Sequence, residues 1–400
     1  MTTDDLWRRS DGDALHALRA VGRPIRVLEI ANGLSLALGG STANAIELHA
    51  ALNRRPDVSS HLISARRDGD SAAATTEQPP GAPMPKAGGS RIGRVLGLLT
   101  SCDVLVLHGY YVWWVPIVAP LGRLLGRSVL VIPHGSLTRH QRRFSRGRKR
   151  VWELGPGPLL RTSIDAFVVG SEVEAVELAE RFPRARVLVG GAGTNLPAVP
   201  DRVGPEPGDG RTSPVRLLSL SRIAPKKRID LMIDAVAELR RRGVSAQLTV
   251  AGEGDAGLKQ QLLEQAERQD VTDLVDFVGM LEGIAKEQAY GRAQYFLAPS
   301  DDENFGISPA EALARAVPLI ASEQVASASG LPSRAGALLE SPSGATIADA
   351  VQRLLGEDQA ALRSAARAFA EQRFDWNTVA ATWADLLFAV RGRRTMPPRG

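Results

Sequence analysis

The feature that most constrains this chain is a repeated alternation of short apolar strands with helices. Continuous apolar segments such as 104–108 and 129–134 are typical of strands buried on both faces of a parallel sheet. We predict further strands at 25–30, 61–63, 166–170, 187–189, 215–219, 248–251, 275–278, 295–297 and 319–321. The alternation stops in a linker rich in Pro, Gly and Asp at 197–214 and then restarts. This pattern predicts an α/β protein with two Rossmann-like, doubly wound parallel sheets that face each other across a cleft.

The linker sets the predicted domain boundaries. We assign residues 1–200 to an N-terminal domain and residues 211–374 to a C-terminal domain. Helical spacing of Trp376, Val379 and Trp383 predicts an amphipathic helix over 374–390, and another helix is predicted over 42–52. The segment 68–89 is dominated by Ala, Thr, Pro and Gly, which predicts a loop.

Composition excludes several classes of protein. An apolar fraction of 44% and a charged fraction of 23% are ordinary for a soluble globular chain. The single cysteine, Cys102, excludes an intramolecular disulfide framework and a cysteine-cluster metal site. The first five residues lack the basic and apolar regions of a signal peptide, and no run of eighteen apolar residues occurs. These features predict a cytoplasmic protein.

Positive charge is concentrated in one segment that contains no acidic residue. Its cations are Arg139, Arg142, Arg143, Arg146, Arg148, Lys149 and Arg150. Such a cluster attracts phosphate groups of lipids, nucleic acid or a diphosphate substrate, or it forms a solvated helix face. Because Trp152 and Leu154 follow directly, contact with an anionic membrane is favoured over nucleic acid, for which no binding-module signature is present.

Two glutamates, Glu303 and Glu311, stand eight positions apart after the predicted strand 295–297. In an open α/β sheet, ligands bind beyond the carboxyl ends of strands, where Glu303 is placed. Gly306 permits a positive φ or a close approach to a ligand. Ser308 fits an N-cap with Glu311 at the third helical position, so Glu311 either binds a ligand or only completes a capping box.

Further candidates follow other strands. Arg222 and Lys227 flank a loop that opens a helix, an arrangement suited to a diphosphate, although a surface charge run is the alternative. Gly252 and Gly254, and likewise Gly39 with Gly40, either approach a ligand or only turn the chain. His134 follows a strand beside a glycine and is either functional or a buried, hydrogen-bonded core residue; His108 is placed similarly.

Taken together, these residues resemble the retaining glycosyltransferases of family 4, which have the GT-B fold. The segment 303–311 matches the E-x7-E signature of that family, and 221–227 is similar to its Gly-Arg-x4-Lys diphosphate site. Gly39-Gly40, Pro133-His134-Gly135 and the segment 251–254 occur in the family's order. The chain departs from the pattern at Ser221, where Gly is usual, and at 315–318, where Cys-Gly-x-Pro is common.

The resemblance implies specific roles. Arg222 and Lys227 would neutralise the nucleotide diphosphate, Glu311 would hold the ribose hydroxyls, and Gly40 would lie near the phosphates. Glu303 would hold the transferred sugar, together with the backbone of Asn304, Phe305, Gly306 and Ile307; Gly252 and Gly254 belong to the same donor site. His134 would lie near the reacting end of the sugar. The resemblance also implies no cofactor and no metal, and a C-terminal helix, 375–392, that crosses back to the first domain.

The reaction expected is transfer of a hexose from a nucleotide sugar to a hydroxyl, with retention of configuration. The basic segment favours a lipid-linked saccharide at the inner membrane face, as in surface polysaccharide biosynthesis; a soluble acceptor is the alternative. A nucleotide-sugar 2-epimerase of the same architecture, or a non-catalytic membrane-associated scaffold, are the competing interpretations. The sequence leaves the sugar, the base and the linkage open.

Overall fold

The computed structural model describes residues 23–34, 40–65, 91–142, 145–197 and 208–395 of the 400-residue chain. The predicted loop over 68–89 and the N-terminal residues lie outside this range. The chain divides into two compact units, one comprising Met1–Gly193 with Trp376–Gly400 and the other Thr194–Asp375.

The described part of the first unit is built on six parallel strands in the order β2-β1-β3-β4-β5-β6. The strands are β1 (Ile25–Ala31), β2 (Val58–Ser64), β3 (Val104–His108), β4 (Ser128–Ile132), β5 (Ala166–Val169) and β6 (Val187–Val189). Helices cover both faces of this sheet: α1 (Gly40–Asn53), α2 (Arg91–Ser101), α3 (Val115–Leu124), α4 (Arg139–Arg142), α5 (Arg146–Leu154), α6 (Gly157–Ser163) and α7 (Glu172–Arg181). Two apolar clusters, one on each side of the sheet, form its core.

The fourth strand is shorter than the predicted segment 129–134. It ends at Ile132 because Pro133 has no N–H to donate to a neighbouring strand. His134 then adopts a φ of 49°, a left-handed conformation that no strand contains. His134 therefore lies two residues beyond the strand, in the turn that precedes Gly135.

The described part of the second unit has six parallel strands in the order β12-β11-β10-β7-β8-β9, the order of a doubly wound dinucleotide-binding sheet. They are β7 (Val215–Leu220), β8 (Ala246–Ala251), β9 (Val275–Gly279), β10 (Tyr295–Ala298), β11 (Leu319–Ser322) and β12 (Gly336–Leu339). The helices are α8 (Ile229–Arg241), α9 (Ala256–Arg268), α10 (Gly283–Arg292), α11 (Ile307–Ala314), α12 (Gly344–Leu355) and α13 (Gln359–Phe374). Strand β12 was not predicted, since four residues beginning with Gly give no periodic signal.

The last helix, α14 (Trp376–Thr395), belongs by its contacts to the first unit. Trp376 and Trp383 are buried in one of that unit's two apolar clusters. Glycines make room for both indoles: a Cβ added at Gly193 would lie 2.3 Å from the Trp376 ring, and one at Gly190 2.7 Å from the Trp383 ring. No helix within the described residues is long and apolar enough to cross a membrane.

Candidate functional site

The second unit brings two functional loops together at a point where its strand order reverses. β7 and β10 are neighbours in the sheet, although the chain forms β8 and β9 between them. The loop 221–228 follows β7 and the loop 299–306 follows β10, so both emerge at the carboxyl edge of the sheet. The Asp301 N–H donates to the Lys226 carbonyl oxygen over 2.9 Å. Such a reversal is the usual ligand-binding position of an open α/β sheet.

Opposite charges from the two loops are paired across this point. Lys227 contacts the carboxylate of Glu303, and the Lys226 ammonium lies 3.1 Å from Asp302. Arg228 lies 3.2 Å from Asp301. Arg222 is exposed, and its guanidinium forms no hydrogen bond or ion pair with any residue that the structure describes. The loops therefore offer an unpaired guanidinium beside several paired charges.

Lys227 is the cation of this group whose environment most disfavours its charge. Burial lowers the pKa of its ammonium to about 8, and the nearby charges of Lys226 and Arg222 act in the same direction. Asp302 opposes the shift. An added anion near Lys227 and Arg222 would stabilise both cations, so the cluster is electrostatically suited to a phosphate-bearing ligand.

Gly252 and Gly254 have a clear steric purpose beside the loop 221–228. A Cβ added to Gly252 would lie 1.9 Å from the Ser221 carbonyl oxygen, and one added to Gly254 would lie 2.0 Å from that of Ile223. The two backbones are hydrogen-bonded, since the N–H of Ser221 donates to Ala251 and that of Ile223 to Glu253, each over 2.9 Å. The glycines let the chain after β8 approach the loop that carries Arg222.

Of the two interpretations of Glu311 that the sequence left open, the capping box with Ser308 is wrong. Helix α11 begins at Ile307 and its N-cap is Gly306, whose φ of 89° turns the chain into the helix two residues before the predicted N-cap. Ser308 consequently lies inside the first turn and makes no capping bond. Glu311 falls in the second turn, and its carboxylate contacts the side chains of another helix rather than the amide of Ser308.

Glu311 is instead held by the neighbouring helix α10. Its Oε1 lies 2.6 Å from the Lys286 ammonium, and its Oε2 accepts a hydrogen bond from the Tyr290 hydroxyl over 2.9 Å. These contacts fix the carboxylate but leave acceptor positions on both oxygens. The sequence analysis did not single out Lys286 or Tyr290, because a helix face gives no sign of which carboxylate it will meet.

The residues between the two glutamates have distinct environments. The Phe305 ring packs edge-on against Phe374 with centroids 5.6 Å apart, and its carbonyl oxygen accepts from the Ser327 N–H over 2.7 Å. Gly306 is enclosed, since an added Cβ would lie 2.8 Å from Ser327 Oγ. Asn304 and Ile307 are partly buried. The Phe305 side chain thus anchors the loop, and any ligand contact made by this residue involves its backbone.

In the first unit, His134 belongs to a buried chain of polar groups. Its Nε2 lies 3.0 Å from Nδ1 of His108, whose Nε2 lies 3.1 Å from Oε2 of Glu29. Glu29 is fully buried on β1, and its Oε1 accepts from the Ser60 hydroxyl over 2.6 Å. His49 Nδ1 lies 3.5 Å from the same oxygen. Sequence analysis did not find Glu29, His49 or Ser60; a lone glutamate in the apolar strand β1 was the available signal.

The buried carboxylate and the last imidazole have strongly shifted pKa values. Burial alone would raise the pKa of Glu29, but hydrogen bonds from His108 and His49 outweigh it and lower that pKa to about 2. Burial, together with the charge of His108, lowers the pKa of His134 to about 3. Glu29 is therefore ionised and His134 neutral at physiological pH.

The remaining predicted residues lie elsewhere in the first unit. Gly40 is the exposed first residue of α1, and Gly39 lies outside the described residues. Of the basic segment, Arg146, Arg148 and Arg150 are exposed on α5. Arg139 pairs with Glu180, and Lys149 donates to the Gln141 carbonyl oxygen over 2.5 Å while lying above the Tyr111 ring. Arg143 and the side chain of Arg142 lie outside the described residues.

Comparison with known proteins identifies the second unit. Residues 209–373 match the model of the family "Glycosyl transferases group 1". Glycogen synthase of Mycobacterium tuberculosis is 35% identical over 195 residues, which are 47% of this chain and 46% of that protein. Phosphatidyl-myo-inositol mannosyltransferase of Mycobacterium leprae is 32% identical over 159 residues, 39% of this chain and 41% of that protein. The chain thus aligns with less than half the length of these relatives.

The fold has counterparts among solved structures. Anabaena HepE in complex with UDP-glucose superimposes with a TM-score of 0.66 at 18% identity, over 91% of this chain and 99% of that one. At this identity the likeness establishes the fold, which is that of GT-B glycosyltransferases. The two parallel sheets predicted from the alternation of strands and helices are confirmed, although each has six strands and only five were predicted in the second.

Proposed function

Since the second unit of this chain belongs to the glycosyl transferases group 1, we propose that the protein is a retaining glycosyltransferase that moves a hexose from a nucleotide sugar to a hydroxyl acceptor. The observation that carries the proposal is the meeting of Arg222, Lys227 and Glu303 at the strand-order reversal between β7 and β10. Lys227, a cation suited to a diphosphate, contacts Glu303, a carboxylate suited to sugar hydroxyls, and the charge of Arg222 lies near enough to lower the pKa of Lys227.

In this proposal the nucleotide-sugar donor binds to the second unit. Arg222 and Lys227 balance the diphosphate, and the carboxylate of Glu311, steadied by Lys286 and Tyr290, accepts from the ribose hydroxyls. The backbone of 304–307 and the chain near Gly252 line the same site. That HepE was solved with UDP-glucose supports a nucleotide-sugar donor, and we leave the identity of its base to the assay below.

Lys227 and Glu303 exchange partners when the donor binds. In the structure the two groups are in contact, so each partly compensates the buried charge of the other. A diphosphate takes over Lys227, and the freed carboxylate of Glu303 accepts from hydroxyls of the hexose. The exchange couples recognition of the phosphates to recognition of the sugar, because Glu303 is free to bind the hexose only when the diphosphate binds Lys227.

The chemical step depends mainly on the balance of charge and on the positioning of the reactants. As the glycosidic bond breaks, negative charge grows on the diphosphate, where Lys227 and Arg222 stabilise it. The acceptor hydroxyl enters on the face that the diphosphate leaves, which retains the anomeric configuration. We propose that these two cations serve in place of a metal ion, so that transfer proceeds in the presence of a chelator.

The acceptor is proposed to be a lipid-linked saccharide at an anionic membrane. The exposed guanidinium groups of α5 lie beside the exposed apolar side chains of Val151 and Leu154 on the same helix. Trp152 of this helix packs against Tyr111, and the nearby Trp113 is 68% exposed. A surface that combines exposed cations with exposed apolar side chains is suited to bind anionic lipid headgroups and to insert into the acyl boundary beneath them.

Donor binding is tested by calorimetry with UDP, GDP and ADP, with and without EDTA, followed by transfer assays with the matching sugar. We expect one nucleotide to bind regardless of EDTA. Lys227→Met should weaken the binding of that nucleotide about ten- to a hundredfold, which corresponds to the loss of one charge-assisted hydrogen bond. Arg241→Met, at the far end of α8, is the matched control and should leave affinity unchanged. Binding that requires a metal, or an unaltered affinity in Lys227→Met, would refute the scheme.

Membrane contact is tested by flotation with phosphatidylglycerol-containing vesicles. The triple replacement of Arg146, Arg148 and Arg150 by Gln should abolish flotation, and raised salt should weaken that of the wild type. Replacement of the similarly exposed Arg240, Arg241 and Arg268 by Gln removes the same three positive charges and controls for lost net charge. Equal flotation of both variants would show that α5 is not the contact surface and would favour a soluble acceptor.

A further inference from the structure

The segment 315–318, where the chain departs from the pattern that it resembles, places an arginine at the end of helix α11. Arg315 directly follows the last helical residue, Ala314, and its side chain is only 7% exposed. A guanidinium stays charged when it is buried, and its burial costs free energy unless acceptors meet its donors. The partners of this side chain therefore indicate its purpose.

Arg315 connects helix α10 to helix α11. Its Nε and Nη2 donate to the two carboxylate oxygens of Glu287 on α10, over 2.7 and 2.6 Å. Its Nη1 donates over 3.1 Å to the carbonyl oxygen of Glu311 on α11. Because the guanidinium is a planar fork, the bidentate pair fixes both its position and its plane. Arg315 thus holds α10 against the turn of α11 that carries Glu311.

The same guanidinium holds the ring of Tyr290. Its central carbon lies 4.9 Å from the ring centroid, which is a cation–π contact, and the ring also packs against Phe296 with centroids 6.0 Å apart. The hydroxyl of this fully buried tyrosine lies 2.9 Å from Oε2 of Glu311 and 3.2 Å from the Ser308 carbonyl oxygen. A phenol has one hydrogen to donate, so the position of the ring decides which oxygen receives it.

Both oxygens of the Glu311 carboxylate are held from α10. Lys286 lies 2.6 Å from one of them, and Tyr290 donates to the other. Tyr290 follows Glu287 by three residues and Lys286 by four, so all three lie on one face of α10. The directions of the acceptor positions that remain on Glu311 therefore depend on where this face of α10 lies, and Arg315 fixes that face relative to α11.

We propose that Arg315 is a positioning residue for the nucleotide donor: by holding α10 against α11 it orients the Tyr290 hydroxyl and the Glu311 carboxylate, and so raises the affinity for the ribose hydroxyls. The proposal rests on the transferase function proposed above, in which Glu311 accepts from those hydroxyls. Its physical basis is preorganisation, since a carboxylate that is fixed before the donor arrives loses little freedom when the donor binds.

A comparison of nucleotides with and without ribose hydroxyls separates this role from a general loss of structure. UDP, GDP and ADP, and the 2′,3′-dideoxy counterpart of each, are titrated by calorimetry against the full chain. We expect the wild type to prefer the hydroxylated form of its nucleotide about tenfold or more, because hydrogen bonds to a charged carboxylate are lost in the dideoxy form. In Arg315→Met this preference should shrink to about threefold or less, while the affinity for the dideoxy form should stay unchanged.

Three further variants complete the design. Arg315→Lys keeps a positive charge but cannot form the bidentate pair, so its preference should lie between those of the wild type and Arg315→Met. Glu287→Gln alters a side chain that is 46% exposed, and it should fold and lower the same preference even if Arg315→Met does not fold. Arg242→Met is the matched control, because Arg242 pairs with Glu238 and Asp349 and so connects α8 to α12 in the same unit. Its preference should equal that of the wild type.

Two outcomes in the variants overturn the proposal. An equal loss of affinity for both forms of the nucleotide would show that Arg315 and Glu287 have only a structural role. An unchanged preference for the hydroxylated form would show that Glu311 does not depend on them. A wild type that binds none of the three nucleotides would instead overturn the transferase function itself, so the failure of one proposal is not mistaken for the failure of the other.

Discussion

Gly252 is the residue whose replacement most sharply tests how the donor loop is held. In Gly252→Ala, the new Cβ would begin 1.9 Å from the Ser221 carbonyl oxygen, whereas real Cβ contacts are essentially never under 3.0 Å. The loop 221–228 must therefore retreat by about 1 Å, because the obstacle is backbone and cannot rotate away. Such a shift strains the two hydrogen bonds of Ser221 and Ile223 and moves Arg222 with them.

The expected magnitude has two parts. Forcing a φ of +141° on a residue with a Cβ costs about 1–2 kcal/mol. Loss of the two loop hydrogen bonds adds about 1 kcal/mol each. We therefore expect the free energy of unfolding to fall by about 3–4 kcal/mol. The affinity for the nucleoside diphosphate should fall at least about tenfold, since the Arg222 guanidinium no longer meets the phosphate.

Gly243→Ala supplies the matched control. Gly243 also has a positive φ, 75°, but an added Cβ there would meet nothing within 4 Å. The free energy of unfolding of Gly243→Ala should fall only by the cost of the backbone conformation, about 1 kcal/mol, and its affinity for the nucleoside diphosphate should be unchanged. The assays are urea unfolding followed by circular dichroism and calorimetric titration of the nucleotide. Equal destabilisation of both variants would refute the steric argument, and a destabilised Gly252→Ala that binds normally would refute the placement of Arg222 on the phosphates.

Three further predictions concern the first unit and helix α10. The pKa of Glu29 is lowered to about 2, so its ionisation contributes about 3 kcal/mol to the free energy of unfolding above pH 4.5, and this contribution is lost as the pH falls toward 2. In urea unfolding, the difference in stability between the wild type and Glu29→Gln should therefore shrink between about pH 6 and about pH 3. A difference that stays constant over this range would contradict the prediction. Trp383→Ala should cost about 3–5 kcal/mol in the same assay, whereas Trp113→Ala, at a 68% exposed position, should cost almost nothing. Tyr290→Phe frees one oxygen of Glu311, and we expect a raised KM for the donor with kcat retained; an equal loss in both would show that the hydroxyl has another role.

Sequence patterns predicted the positions of eleven of the twelve strands that the structure describes, because a strand buried on both faces must be continuously apolar whatever its neighbours are. The residues 221–228 and 299–306 could be placed in loops for the same reason. The start of α11 could not be predicted well, since both Ser308 and Gly306 are plausible N-caps. Only the left-handed φ of Gly306 decides between them, and that φ depends on Ser327 and Val325, which enclose the glycine from the next loop.

The sequence by itself determined the class of fold and the kinds of side chain at the candidate site, since both depend on local order along the chain. The tertiary structure alone decided which of these side chains meet. Glu303 and Lys227 are 76 positions apart and Glu29 and His108 are 79 apart, and each pair is joined only because the strand order brings their strands side by side. A local pattern carries no record of such pairings, because the free energy that selects them comes from packing the whole sheet.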